Sequence, residues 1–563
     1  GTFIVDMGQN FAGWIALRVQ GDAGTAVHLR YGELLHPDGT LNGLTSVAGQ
    51  IKQPGMGGPG APPTAWQADT YILKGDGVET YRPRFTFHGF RYVEIAGYPG
   101  TPTLDAIEGY LLNSDIADAG AFACSNELFN RIQEIVRWTQ RSNMFSVQSD
   151  CPHRERFSYG GDIIASGEMA MLNFDMAAFY VKTLQDHMDE IRPNGGPTET
   201  SPFVGIADHG FGEGSGPIGW STMVPWLQWK LYTYYGDKQI LAEHYDATKR
   251  WVRLLETSAV DSIIGHGISD HESLVPKPEA LTGTGFYYHN VCLLARIAEV
   301  LGRADDVERY TALAGTIRDA FNAKFLQADS GRYGTGTQAS QAFALFFDLV
   351  PAEKRDAALD VLVRDIVDQH DGHLTTGIFG TKYMLLTLTD LGRADVAYTI
   401  ANQKTFPGWG HMLEGGATTL WEHWEYSDNV YSHNHPMFGS VSEWFFKALA
   451  GIRPDPAAIG FDRILIQPQI VGDLTWARGH YDSIRGRITS EWKLDGNTLT
   501  LDVTIPPNTT AKVHVPTNDP SSVQESGKPA KNADGVRQVR TTETESVFAI
   551  TSGHYRFTTR IRR

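Results

Sequence analysis

Three polar clusters in this chain hold the residue types that acid–base chemistry uses. The first runs Asp150-Cys151-Pro152-His153-Arg154-Glu155-Arg156-Phe157-Ser158-Tyr159-Gly160-Gly161-Asp162. Pro152 has no amide donor and the glycine pair disfavours helix, which predicts an irregular polar segment joining two helices. Arg154 and Arg156 are placed to fix the geometry of neighbouring acids and hold them ionised. The competing expectation is a solvated loop with internal ion pairs. The second cluster is Gly415-Gly416-Ala417-Thr418-Thr419-Leu420-Trp421-Glu422-His423-Trp424-Glu425. A carboxylate between two tryptophans is expected to be walled off from water, which raises its pKa. The third is Ser432-His433-Asn434-His435-Pro436-Met437-Phe438-Gly439. Two histidines at i, i+2 without nearby cysteines are a poor metal site and better hydrogen-bond donors, so no metal is expected.

Smaller candidates are Asp270-His271-Glu272 and Asp208-His209, the latter ahead of a Gly-rich stretch leading into Trp220. No strand precedes that stretch and no Gly-Lys-Ser/Thr follows it, so a phosphate cradle fails its context test. Neither a Gly-x-Ser-x-Gly elbow nor a His-Glu-x-x-His zinc helix occurs. Glu155 and Glu422 are what glycosidic cleavage needs: one acid protonates the leaving oxygen while the other carboxylate deprotonates a water on the opposite ring face. That scheme calls for no cofactor.

These residues must be positioned by a helical middle region. Asn126 to Thr139 carries apolar positions at Leu128, Ile132 and Ile135, with Ser125 as the expected cap. Further helices are predicted over 175–191, 221–235, 239–255, 286–301, 305–321, 339–347, 352–368 and 380–391, and an apolar one from Val441 to Leu449. Roughly a dozen helices with short connections suit an (α/α)6 barrel, with a helical solenoid as the alternative. The absence of a fixed-period repeat counts against the solenoid. On either side the pattern is β. Phe3-Ile4-Val5, Trp14–Val19, Ala26–Tyr31, Tyr71–Leu73, Phe85–Phe87 and Tyr92–Ile95 read as strands, interrupted by the loop QPGMGGPGAPPT at 53–64. Leu499, Leu501, Val503 and Ile505 alternate with polar residues near the other end. The predicted division is a β-sandwich over 1–116, the barrel over 117–451 and a second β-sandwich over 452–563.

Composition narrows the ligand. With 48 Lys+Arg against 65 Asp+Glu the net charge is -17, and no basic stripe offsets it, so nucleic acid is an unfavourable partner. No apolar run approaches the roughly 20 residues that span a bilayer. Three cysteines (Cys124, Cys151, Cys292) lack metal-ligand spacing and select no compartment. The opening Gly-Thr-Phe-Ile has neither a signal-peptide pattern nor an initiator Met, and the expectation is of residues removed upstream. Aromatic residues at 11% offer flat faces of the kind sugar rings stack on, but large domains bury many aromatics and composition alone favours that reading.

At these motifs the sequence resembles the α-L-rhamnosidases of family 78 of the glycoside hydrolases, over nearly its whole length. Val5-Asp6-Met7-Gly8-Gln9-Asn10-Phe11-Ala12-Gly13-Trp14 and His88-Gly89-Phe90-Arg91-Tyr92 are similar to the β domain beside the family's catalytic domain. The Asp-Cys-Pro-His-Arg-Glu-Arg segment, Ala417–Glu422 and Asn434-His435 are similar to its catalytic motifs. The resemblance implies an exo-acting, inverting enzyme that removes terminal α-L-rhamnose from a glycoside, oligosaccharide or polysaccharide. It implies Glu155 as general acid and Glu422 as general base. It further implies that Asp150, Arg154, Asp162 and His435 hold the sugar, with Trp220 against the ring and its C6 methyl and Tyr159 where many relatives have Trp. Asp270, His271 and Trp424 complete the expected sugar-binding set, Ser269-Asp270-His271 standing where relatives often show Gly-Asp-Trp. Relatives usually carry additional β domains before this region. The alternatives are an (α/α)6 glycosidase for another sugar and a carbohydrate-binding homologue without turnover.

Overall fold

The computed structural model describes residues 1–47 and 64–561. The Pro/Gly-rich loop predicted at 53–64 therefore lies, apart from Thr64, outside the described residues. The first two predicted strands are one: Thr2–Gln20 runs continuously for 19 residues. Its first half pairs antiparallel with His88–Ala96 and its second half with Ile107–Leu111 and Val78–Tyr81, with a register break between Asp6 and Phe11. Ala26–Gly32 and Ala68–Ile72 complete a six-stranded antiparallel sheet. Phe11, Ile15, Leu17, Leu29, Phe90, Val93 and Ile95 form a core of its own beneath that sheet. Phe85–Phe87 is not a strand, and the Phe85 side chain is fully exposed.

The middle of the chain is helical, and its helices are of two kinds. Gly160–Asn173, Met223–Tyr235, Glu279–Val300, Gln338–Phe346, Ile378–Asp390 and Ser440–Trp444 are buried over most or all of their surface. Each packs on the next in that order, and Ser440–Trp444 packs back on Gly160–Asn173. Ala177–Asp189, Tyr245–Ser258, Ala304–Phe325, Arg355–Arg364 and Glu127–Ser142 bury one side only. The ring's interior holds a buried charge network: Glu168 meets Lys230 and Lys447, and Glu443 meets Lys447 and Lys382. Buried charges persist only when paired in this way.

Several local readings are corrected. The Gly160-Gly161 pair does not exclude helix but opens one, Gly160–Asn173. Asn126, not Ser125, caps Glu127–Ser142, its side chain accepting from the Leu128 amide. The hydroxyl of Ser125 instead accepts from the Thr475 amide of the C-terminal region. The predicted helix over 239–255 is two, Lys238–Glu243 and Tyr245–Ser258.

The C-terminal region is two sheets packed face to face, with Phe548 of one stacked on Phe557 of the other at 5.5 Å. Thr498–Ile505 buries alternate residues as its pattern predicts. The strand Gly120–Cys124 lies on the helical side of the predicted boundary, yet it is the edge of the seven-stranded sheet, Gly120–Cys124 running antiparallel to Trp476–Ser483. Phe122 on that strand stacks on Phe445, and the Trp492 indole donates to the Leu449 carbonyl. Helices and C-terminal sheets consequently share one hydrophobic core. No helix among the described residues is long and apolar enough to cross a membrane.

Candidate active site

The segment from Asp150 to Asp162 is shaped by its own side chains. Oδ1 of Asp150 accepts the Phe157 amide at 2.8 Å, and the Asp150 amide donates to the Phe157 carbonyl at 3.0 Å. Arg156 takes a left-handed conformation with φ at 60°, an uncommon state for a non-glycine residue. It turns its guanidinium back to the Pro152 and Phe87 carbonyls, over the Phe87 ring. Arg156 therefore braces the loop against the N-terminal sheet and does not hold the site's acids ionised. Arg154 does. Its Nη2 lies 2.6 Å from Oε2 of Glu422 and its Nε 3.4 Å from Oε1 of Glu155, while Nη1 donates to the Val430 carbonyl.

Gly160 and Gly161 bring the next helix against Trp220. A Cβ at Gly161 would lie 2.4 Å from the Trp220 ring, so only glycine allows that approach. Trp220 meets Phe379 and His271 edge-on at 5.5 and 5.7 Å. Asp162, in the first turn of the helix, contacts Nε2 of His435 at 3.1 Å. Tyr159 donates its hydroxyl to Oε2 of Glu155 at 3.0 Å.

The two glutamates sit in opposite electrostatic surroundings. Burial raises the Glu155 carboxyl, the negative charge of Asp150 raises it further, and Arg154 only partly offsets them, leaving it at about 8. Burial also works to raise Glu422, but Arg154, His435 and the Ser432 amide at 2.6 Å outweigh it and hold the group at about 2. The rise expected from two flanking tryptophans does not occur, because an arginine and not an indole faces this carboxylate. His435 is pushed up to about 9: burial opposes its charge, and the Asp162 hydrogen bond and Glu422 prevail. Burial lifts Asp150 to about 6.

A cavity of about 220 Å³ collects these groups. Among the residues singled out from sequence, Asp150, Glu155, Tyr159, Asp162, Trp220, His271, Glu422 and His435 line it. Arg154 stands behind, bonded to both glutamates. Two expected sugar contacts are corrected. Asp270 is fully buried and turned away, its carboxylate accepting the amides of Gly377, Phe379 and Gly380 at the start of Ile378–Asp390. Trp424 is also fully buried, donating to the Thr376 carbonyl and packing on Phe438 and Trp409. The histidine pair diverges: His433 faces the Ser427 carbonyl and His435 faces Asp162. Among the described residues no group of three or more His, Cys, Asp or Glu is placed to hold a metal ion.

The sequence reading missed Glu199, Ile206, Ile268 and Met437 on the cavity wall, and it tested Asp208-His209 only as a phosphate loop. Glu199 arrives through the backbone bridge between Tyr159 and Thr200, and burial raises its carboxyl to about 8. An acid–His pair ahead of Trp220 was the available signal for this wall.

A carboxyl raised by burial and one held down by an arginine on one small cavity have the opposed surroundings that acid–base cleavage of a glycoside requires. Family comparison agrees. The bacterial alpha-L-rhamnosidase 6 hairpin glycosidase domain matches residues 117–449, the concanavalin-like domain of the same family residues 1–113, and its C-terminal domain residues 451–530. The chain belongs to the bacterial alpha-L-rhamnosidase family. It is 36% identical to an alpha-L-rhamnosidase of Streptomyces avermitilis over 99% of this chain and 52% of that protein. It is 32% identical to one of Formosa agariphila over 98% of this chain and 59% of that protein. The chain thus spans little more than half the length of these curated relatives. The structure of the alpha-L-rhamnosidase from Dictyoglumus thermophilum superposes with a TM-score of 0.91 at 38% identity, covering 99% of this chain and 62% of that one. The Streptomyces avermitilis enzyme complexed with L-rhamnose superposes at 0.89 with 35% identity, covering 99% and 52%.

Proposed function

We propose that this chain is the catalytic portion of an exo-acting, inverting α-L-rhamnosidase, with an (α/α)6 barrel between two β-sandwiches. The observation that carries the reading is that Glu155 and Glu422 line one cavity in opposed surroundings, Glu155 buried beside Tyr159 and Asp150, Glu422 faced by Arg154 and the Ser432 amide. Protonated at neutral pH, Glu155 gives its proton to the glycosidic oxygen as the bond to the anomeric carbon breaks. Ionised Glu422 takes a proton from the water that attacks the opposite face, which inverts the configuration. Glu155 ends ionised and Glu422 protonated, and exchange with solvent resets both. Arg154 contacts both carboxyls, and inversion calls for about 6.5–9.5 Å between them, room for a water.

The cavity falls below the roughly 300–1,000 Å³ of pockets for larger ligands, which suits one terminal sugar ring. Asp150 and the Asp162–His435 pair offer hydrogen bonds to its hydroxyls. Trp220, Ile206, Ile268 and Met437 offer apolar surface to a methyl group, worth about 0.8 kcal/mol per carbon buried. The L-rhamnose bound by the Streptomyces avermitilis relative supports the same ligand class. The closed cycle of six buried helices, with one-sided helices outside it, supports the barrel.

The test is release of p-nitrophenol from p-nitrophenyl α-L-rhamnopyranoside beside a panel of other aryl glycosides, with the anomer of the released sugar followed by NMR. Selective cleavage that releases the inverted anomer is expected. Faster turnover of another sugar overturns the substrate, and retention overturns the mechanism.

A further inference from the structure

The carboxylate of Glu33 is buried completely, although it belongs to the N-terminal sheet domain and lies outside the cavity. Its Oε1 accepts the side-chain amide of Asn10 at 3.0 Å. Its Oε2 accepts the backbone N–H of His433 at 3.1 Å and faces Nε2 of His153 at 3.3 Å. The same Nε2 lies 2.8 Å from the Thr45 carbonyl, so it carries the proton and donates between two acceptors. Asn10 also reaches the His433 carbonyl at 3.3 Å.

The positions of the two histidines give this contact its meaning. His153 immediately precedes Arg154, whose Nη2 binds Oε2 of Glu422. His433 immediately follows Ser432, whose N–H binds the same Oε2. Thus both donors that converge on one oxygen of Glu422 sit one residue from a group held by Glu33. No other contact of the N-terminal sheet domain described above reaches both segments at once. A loop residue on the surface would not justify burying a carboxylate, since an ionised group removed from water costs several kcal/mol unless it is fully bonded.

We propose that Glu33 is a positioning residue, which fastens the two catalytic segments to each other so that Arg154 and Ser432 meet Glu422 in register. The N-terminal sheet domain is then part of the catalytic apparatus and not an appendage. The effect on turnover rests on the reading of Glu422 as the base. Glu422 is faced by Arg154, His435, His271, Glu155 and Glu272, and Glu33 itself by His153 and His433.

Glu33→Gln keeps the shape but places an NH2 where one of the acceptor oxygens stood. In the full chain, this variant is expected to lose about 100-fold in kcat, as a displacement of about 1 Å at a catalytic group does. KM for the aryl rhamnoside is expected to stay within about threefold, since Asp162 and Trp220 on the cavity wall lie outside both segments. Hydrogen exchange read by mass spectrometry is expected to rise in both 151–157 and 430–436, while the N-terminal core strands stay protected. Wild-type kcat in folded Glu33→Gln overturns the proposal. So does unchanged exchange in either segment, or a loss of kcat that only tracks the folded fraction. If Glu33→Gln does not fold, Asn10→Ala, which leaves the charge paired with His153 and His433, is read in the same way with a smaller loss. A wild-type chain that cleaves no rhamnoside defeats the proposed function, and the fastening is then decided by exchange in the two segments alone.

Discussion

At the scale of single residues, the proposed mechanism requires two chemically identical side chains to be made unequal. Glu155 must carry a proton and Glu422 must not, so activity is expected from well below neutrality up to about pH 8 and to fall as pH rises through the Glu155 value. Glu155→Gln and Glu422→Gln should each lose about 10²–10⁴ in kcat, and Glu155→Gln should lack the alkaline inflection near 8. Rate–pH profiles of the three proteins check this. The same shift has a consequence for stability. The folded-state value of Glu155 lies above the ordinary 4.5, so its contribution is fully present below about 4.5 and is lost as pH rises through about 8. Glu155→Gln should therefore melt higher than wild type at pH 9, and the gap should close by pH 4.5 in thermal melts. Both glutamates stood out in the sequence because each sits in a dense polar motif, and both line the one cavity. Direction was not legible. Nothing in Asp270-His271 shows that one side chain turns to amides more than a hundred residues ahead while its neighbour lines the cavity. Nor does the spacing show that Arg154 faces Glu422 while Arg156 faces the other way.

At the scale of elements, the site depends on how helix starts are presented to the cavity. Gly161→Ala would drive a methyl into the Trp220 ring, and overpacking of this kind costs about 1–3 kcal/mol. The expected outcome is a lower denaturant midpoint together with a raised KM, because the displaced ring is a cavity wall. Asp270 serves the start of Ile378–Asp390, where its charge also complements the positive end of the helix. Asp270→Asn should lower stability by about 1–3 kcal/mol through the amides it leaves poorly paired. Its KM should change less than that of His271→Ala, and urea melts with steady-state kinetics separate the two effects. The outer helices were legible because they bury one stripe, as Tyr310, Ala314, Ile317 and Phe321 do in Ala304–Phe325. Gly160–Asn173 was not, because all fourteen of its residues are buried, polar ones such as Asp162 and Glu168 included, and a helix buried all round has no apolar stripe to read. The sheet pairing of Gly120–Cys124 was not legible for a different reason: its partner, Trp476–Ser483, lies some 350 residues further on.

At the scale of the whole molecule, the described residues form two hydrophobic cores and not three. The helices and the C-terminal sheets share one of them, knitted by Phe122 on Phe445 and by Trp492 on the Leu449 carbonyl. The N-terminal sheet keeps the other, on which Trp138 of Glu127–Ser142 packs, and hydrogen bonds also join it to the helical region: Gln9 to the Thr418 carbonyl, Asn10 to Thr418 and His433, and Asn42 to the Asp428 carbonyl. Apolar area dominates cooperativity, whereas each exposed or half-exposed hydrogen bond adds only about 1 kcal/mol. Calorimetry should accordingly resolve two transitions, a larger one for residues after about 117 and a smaller one for the N-terminal sheet. Ile95→Ala, which empties a fully buried site in the smaller core, should lower the smaller transition alone by about 2–4 kcal/mol. Trp492→Phe should lower only the larger, by about 1 kcal/mol for the lost indole hydrogen bond and more for the volume removed. Activity should vanish with whichever transition comes first, since Glu33 ties both catalytic segments to the smaller core. A single transition moved by both substitutions would mean that the hydrogen-bonded seam couples the cores as strongly as packing does.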